Sequence, residues 1–192
     1  MPNWCNNTVT VSHEDPAKLY ALVEAVNAGK FCNFAIPTPV ELTETVAGFP
    51  GEDKREAHEA QVARNLEKYG HADWYSFQTS NWGTKWDVDP YEPVEYDDVH
   101  DGKSVSFGFD SAWAPPTGVY EALEEQGYKV KAFYWESGMC FAGKWEDGFD
   151  DYYELSGMNS KEVAETIDPE LDDVMCISET IANYEEEDSE EE

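Results

Sequence analysis

Two stretches of alternating apolar residues, each running into an amphipathic helix, constrain the fold of this chain more than any other feature. Residues 8–12 read Thr-Val-Thr-Val-Ser, which puts Val9 and Val11 on one face of a short strand. Asp15 and Pro16 then provide a cap and a first helical position for a helix carrying Leu19, Leu22, Val23 and Val26, which stops at Gly29. The same switch of period recurs downstream. Val105, Phe107 and Phe109 alternate along residues 104–109; after Pro115 and Pro116, a helix with Val119, Ala122 and Leu123 ends at Gly127. Residues 129–135 and 139–145 read as two strands of a hairpin turned at Ser137-Gly138.

Between the two units the pattern is broken by Pro37, Pro39, Gly48 and Pro50, so residues 31–80 read as an insertion. A helix is predicted over 53–69, with Ala57, Ala60, Val62, Ala63 and Leu66 facing inward, Gly70 as its stop, and Lys54, Arg55, Arg64 and Lys68 forming a basic face. The stretch Asn81-Trp82-Gly83-Thr84-Lys85-Trp86-Asp87 is read as an anchor. Gly83 turns the backbone, the two indoles bury apolar area, and Lys85 lies over one of the rings. Trp4 and Trp113 are read as further anchors, and residues 85–88 as a short strand.

The resulting order, strand, helix, insertion, strand, strand, helix, strand, strand, predicts an α+β fold. It is the ferredoxin-like split β-α-β plan, an antiparallel sheet with helices on one face. Residues 1–157 are assigned to this domain. An acidic helical extension is predicted over 158–184, where Asn159 and Glu162 have capping-box spacing. Asp168-Pro169 opens a second helix with a stripe of Leu171, Val174, Met175, Ser178 and Ile181. Residues 185–192, seven acids and one serine, read as a disordered tail.

Charge narrows the choice of partners. Acidic residues number 42 against 12 basic ones, a formal net charge of -30. Residues 1–144 hold 23 acids and 11 bases, and residues 145–192 hold 19 acids and one base. Such a surface is repelled by phosphate backbones and anionic membranes, which argues against direct nucleic-acid or membrane binding and favours a protein with a basic surface. Cys5, Cys32, Cys140 and Cys176 contain no C-x-x-C pair, so they read as reduced thiols and not as metal or redox ligands. No cofactor is implied. The first residues lack an export signal and no run is long enough to span a bilayer, so a cytoplasmic protein is expected.

Three spaced motifs carry a family resemblance: Pro2-Asn3-Trp4-Cys5-Asn6-Asn7, Tyr69-Gly70 through Asp73-Trp74-Tyr75 to the 81–87 stretch, and Phe109-Asp110-Ser111-Ala112-Trp113-Ala114-Pro115-Pro116. Together they resemble the YubB or Api92-like family of phage and plasmid proteins, over about residues 1–145. The resemblance implies a ferredoxin-like fold and an accessory protein working inside a bacterial host. It supplies no catalytic residues, and the acidic C-terminal part departs from its motifs.

Function can then be read in three ways. The first is an inhibitor or modulator that binds a host protein, as a nucleic-acid mimic against a DNA-binding or defence factor, with Asp147, Asp150, Asp151, Glu154, Asp172 and Asp173 as the partner-binding acids; against it stands the alternative that the charge serves solubility alone. The second is an enzyme or small-ligand domain. Asp110 and Glu136 would then act as acid and base, although His13, His58, His71 and His100 stand far apart and no nucleophile or phosphate-loop motif occurs. The third uses Phe133, Trp135 and Trp145 as a base-stacking platform, against which stand the charge and the alternative that these rings are core.

Overall fold

The computed structural model of the chain describes residues 3–95 and 103–191. The acidic run Asp97-Asp98-Val99-His100-Asp101-Gly102, read from sequence as an exposed connection, lies outside the described residues. In chain order the elements are β1 (Trp4–Ser12), α1 (Pro16–Asn27), α2 (Phe31–Ala35), α3 (Val40–Thr43), α4 (Arg55–Tyr69), α5 (Trp74–Asn81), β2 (Ser104–Ala112), α6 (Thr117–Glu125), β3 (Lys129–Glu136), β4 (Phe141–Glu146), β5 (Phe149–Glu154), α7 (Ser160–Thr166), α8 (Pro169–Met175) and α9 (Ile177–Glu191).

The five strands form one open antiparallel sheet in the order β2-β1-β3-β4-β5. Helix α6 links β2 to β3 across the intervening β1, which is one split β-α-β unit. Val9 and Val11, with Phe107, Phe109, Val130 and Ala132, make one face of the sheet, closed by the apolar stripes of α1 and α6. The cap predicted for α1 is present, with Asp15 accepting from the Ala17 N–H at 3.0 Å. Phe31 and Cys32 of α2 join the same core, so the insertion begins with buried structure and not with loop. Asp87 holds α2 there, its carboxylate accepting from the N–H groups of Cys32 at 2.7 Å and Asn33 at 3.0 Å.

Several expectations are corrected. Residues 85–88 form no strand, and the Asp87 carboxylate in them is turned to α2; the chain then meets the edge of β2 through the bridge between Pro90 and Phe109, with the Tyr91 N–H donating to the Gly108 carbonyl at 2.9 Å. Helix α4 exists, but Ala57, Ala60, Ala63 and Leu66 are exposed, and its buried residue is Asn65, bonded to Thr45 and to the Ala72 carbonyl. Helix periodicity was present there without a core to receive it.

The other sheet face is also covered, not left open. Phe133 and Ala142 pack under Leu155, Val163, Ile167, Leu171 and Ile177, so the residues after Gly157 complete a second core instead of trailing from the domain. The aromatics considered for base stacking are therefore packed: Phe133 lies in this second core with Trp135 partly buried against it, and Trp145 lies in the first. Lys144, whose ammonium lies 2.9 Å from Glu146 and 3.0 Å from Glu170, ties α8 to the sheet, with Lys131 reaching Glu170 beside it at 2.5 Å. The second predicted helix is broken in two at Cys176, which adopts the left-handed conformation with φ 52°. Residues 185–191, expected to be disordered, continue α9, consistent with the good intrinsic helix propensity of Glu once a helix is nucleated by packed residues such as Ile177.

Because Leu171 is fully buried in the second core, Leu171→Ala should cost about 2–5 kcal/mol in urea unfolding. Leu66→Ala, on exposed α4, should stay within about 0.5 kcal/mol of the parent.

Candidate functional site

The three sequence motifs meet at one end of the sheet. Asn7 of β1 is buried; its amide donates to the Cys5 carbonyl at 2.7 Å and to Ser111 Oγ at 2.8 Å, and its carbonyl accepts from Tyr120 Oη at 3.3 Å. Ser111 Oγ donates onward to the Ala114 carbonyl at 2.8 Å, fixing the turn that follows β2. From the second motif, Thr84 Oγ1 donates to the Ala112 carbonyl at 3.0 Å, and Trp82 Nε1 to the Ile36 carbonyl at 2.9 Å. Gly83, at φ 87°, makes the turn predicted for it, and a Cβ there would stand 3.0 Å from the Pro115 carbonyl.

Of the predicted anchors, Trp82 is buried as expected; Trp4, Trp86 and Trp113 are not, each being between about a third and a half exposed. Lys85 does lie over an indole, 4.3 Å from the Trp86 ring, and Trp86 in turn sits 6.2 Å from Trp4. Trp113 is held outward by its backbone. Its φ of 75° is unusual for a residue with a large side chain, and its N–H donates to the Asn3 carbonyl at 3.0 Å.

Trp113 borders a groove of ≈450 Å³ whose walls include Tyr134, Met139, Phe141 and Tyr152, with Asp150 also lining it. Phe141 and Tyr152 are stacked at 5.5 Å, and Tyr134 meets Phe141 edge-on at 6.2 Å. Tyr134 of β3 reaches across β4 to donate its hydroxyl to Asp150 of β5 at 2.7 Å. The crossing is possible because the intervening residue is Gly143, where a Cβ would stand 2.2 Å from the Tyr134 hydroxyl oxygen. Burial pushes the Tyr134 hydroxyl pKa up, and acceptance by Asp150 adds to this, so Tyr134 stays a donor. Asp150 itself is pushed above the ordinary carboxylate range by burial, against the Tyr134 hydrogen bond, with a further push from Asp151. Glu136, fully buried, turns its carboxylate back onto the N–H groups of Gly138 and Met139 and so positions Met139.

The predicted acids are brought together in part. Asp147 forms the β4–β5 turn with Gly148, at φ 51° and 79°, and Asp150, Asp151 and Glu154 follow on β5. Asp172 and Asp173 are on α8, packed over β3, and Asp172 is engaged by the N–H and hydroxyl of Ser178 at 2.8 and 2.6 Å. Asp110 and Glu136 do not form a site. Asp110 accepts from Asn6 and Tyr91 at 2.6 and 2.7 Å on one sheet face, while Glu136 shares the alternation of Tyr134 on the other. Among the described residues no group of three or more His, Cys, Asp or Glu side chains has metal-site geometry, and burial raises the thiol pKa of both Cys5 and Cys32. No helix among them is long and apolar enough to cross a membrane.

The groove walls Tyr134, Met139, Phe141 and Tyr152 are absent from the sequence-based site, and although Asp150, Asp151 and Glu154 are in it, the strand β5 that carries them is not among the predicted elements. One local feature could have found them: Asp147-Gly148 is a strong signal for a two-residue hairpin, and it places Phe149–Glu154 back along β4.

No family model and no curated protein matches the sequence. Among solved structures, protein Api92 from Yersinia pseudotuberculosis is similar at 11% identity with a TM-score of 0.41, covering 82% of this chain and 99% of its own.

A carboxyl whose folded pKa lies above its unfolded one binds more protons when folded, so its stabilising contribution is present at low pH and is lost as pH rises through that window. Asp150→Asn, which keeps an acceptor for Tyr134, should therefore be more stable than the parent at neutral pH and no different from it well below the ordinary carboxylate range, as read from urea midpoints.

Proposed function

We propose that this chain is a protein-binding domain that engages the cationic side chains of a basic protein partner through the Trp113–Tyr152 groove. The observation that carries the reading is the chemistry of that groove: aromatic rings exposed beside a carboxylate in a chain of net charge -30. Exposed rings alone would suit many apolar ligands; rings beside Asp150 and Glu154 suit a lysine or arginine. A cation over one such ring is worth about 0.5–1 kcal/mol when exposed and about 2 when desolvated. The surrounding acidic field raises the association rate with a basic partner and repels nucleic acid.

On the motif resemblance, the setting is a phage- or plasmid-derived accessory protein in the cytoplasm of a bacterial host, modulating or inhibiting a host protein. Its plan is the ferredoxin-like one, with the expected second strand reduced to the Pro90 bridge and with β4 and β5 added beyond β3. Mimicry of nucleic acid is the form this takes if the partner's basic surface is itself a DNA-binding one. Duplex DNA carries one charge per ~1.7 Å of axis, so 30 charges match about 50 Å of duplex, close to the ~40 Å span of a domain of this size.

A lysine-rich peptide should quench tryptophan fluorescence on titration, with affinity that falls as salt rises, whereas a glutamate-rich peptide of equal length should not bind. Trp113→Ala and Tyr152→Ala should each weaken binding by about tenfold or more, while Trp86→Ala, outside the groove, should leave it within about twofold. Equal loss from all three, or no binding at low salt, would refute the groove. Displacement of duplex DNA from a basic DNA-binding protein by this chain would identify the mimicry form.

A further inference from the structure

The groove is bounded on its outer side by the edge of the sheet, and that edge has its own chemistry. β5 pairs with β4 alone and ends the strand order. Most of its side chains are exposed, Phe149 at 74% and Tyr152 at 57%. The Leu155 N–H donates to the Cys140 carbonyl at 2.7 Å, which fixes the phase of the antiparallel ladder. Residues 149, 151 and 153 therefore direct their backbone groups at β4, and Asp150, Tyr152 and Glu154 direct theirs outward. By register, Asp150, Tyr152 and Glu154 lie opposite Trp145, Gly143 and Phe141, so their side chains stand on the groove face of the sheet.

Outward N–H and C=O groups on alternate residues are a template for one more strand. Side chains of a strand docked there would alternate between the two faces, and every second one would stand beside Asp150, Tyr152 and Glu154. A second copy of this chain is a poor occupant, since β5 against β5 would oppose acids to acids. A segment with lysine or arginine at alternate positions meets both requirements.

We infer that the partner binds as an extended basic segment that adds a sixth strand to the outer edge of β5, placing alternate lysine or arginine side chains over the aromatic groove. This rests on the basic-partner reading and specifies its geometry. Exposed aromatic side chains at 149 and 152 lengthen the apolar contact along the edge, and the acids keep the unoccupied edge from pairing with itself.

The experiment uses the full chain and a synthetic peptide of about nine residues alternating lysine and threonine, long enough to cover one strand. Amide hydrogen exchange in the complex should slow at Asp150, Tyr152 and Glu154, with little change at Asp151 and Tyr153, which are protected already. N-methylation of the peptide on alternate residues should weaken binding about tenfold or more in one phase and hardly at all in the other. Tyr152→Pro, which removes an outward N–H, should bind less tightly than Tyr152→Ala, which keeps it. Salt-sensitive binding without new protection at those three amides, or with tolerance of N-methylation in both phases, would overturn strand addition and leave the basic-partner reading standing. Absence of any binding by the basic peptide would overturn both. Protection of the same amides without peptide, rising with protein concentration, would assign the edge to a second copy and overturn the proposal.

Discussion

The carboxamide of Asn7 is the point on which the rest of the site depends. It is buried, and it satisfies the Cys5 carbonyl, Ser111 and Tyr120 at once, so three elements are fixed by one side chain. Leaving any of these polar groups unpaired would cost about 1–3 kcal/mol. Through Ser111 the constraint passes to the Ala114 carbonyl and thus to the turn that holds Trp113 at a positive φ. The outward tryptophan of the groove is in this sense a consequence of a buried amide on β1. That also explains why the motifs hold polar residues amid apolar strands: Asn7, Ser111 and Thr84 bond across the junction where β1, β2 and the 82–84 turn meet.

Gly143 plays the corresponding part on the other wall. A side chain there would separate β3 from β5; its absence lets the Tyr134 ring lie across β4 and bond Asp150. The groove face thus runs through a hydrogen bond that skips a strand, from a buried phenol to a rim carboxylate. The carboxylate is held in one position at a cost, because burial and Asp151 both disfavour its charge. On the proposed reading, a cation placed beside it would offset part of that penalty.

The parts of the fold legible from sequence were those in which burial on one side imposes a period. Val9 with Val11, Leu19 through Val26, and Val105 through Phe109 all fall where the alternation and the helical spacing put them. β5 was not legible that way, because Phe149-Asp150-Asp151-Tyr152-Tyr153-Glu154 is an exposed edge strand and carries no buried face to write a pattern. Its only local mark is the Asp-Gly turn before it. The converse holds at α4, where Ala57, Ala60, Ala63 and Leu66 form a helical stripe that faces water. In the C-terminal part the apolar stripe that includes Leu171 is legible as a helix but not as a second core, because Leu155, Val163, Ile167 and Ile177 are sparse among acids and only the fold brings them with Leu171 to one sheet face. Sparse apolar residues suffice when two lysines of the sheet, Lys131 and Lys144, neutralise the acids that arrive with them.

The distribution of charge follows from this division of labour. Glu146, Asp168 and Glu170 are drawn to those lysines and serve the fold. Asp172 and Glu185 are consumed in capping, at Ser178 and at Ser160. On the β4–β5 hairpin Asp147, Asp151 and Glu154 accompany Asp150 beside an exposed apolar surface. At the β5 edge negative charge, outward backbone groups and exposed aromatic rings coincide, and on the proposed reading each of the three would be satisfied by the same extended, basic segment.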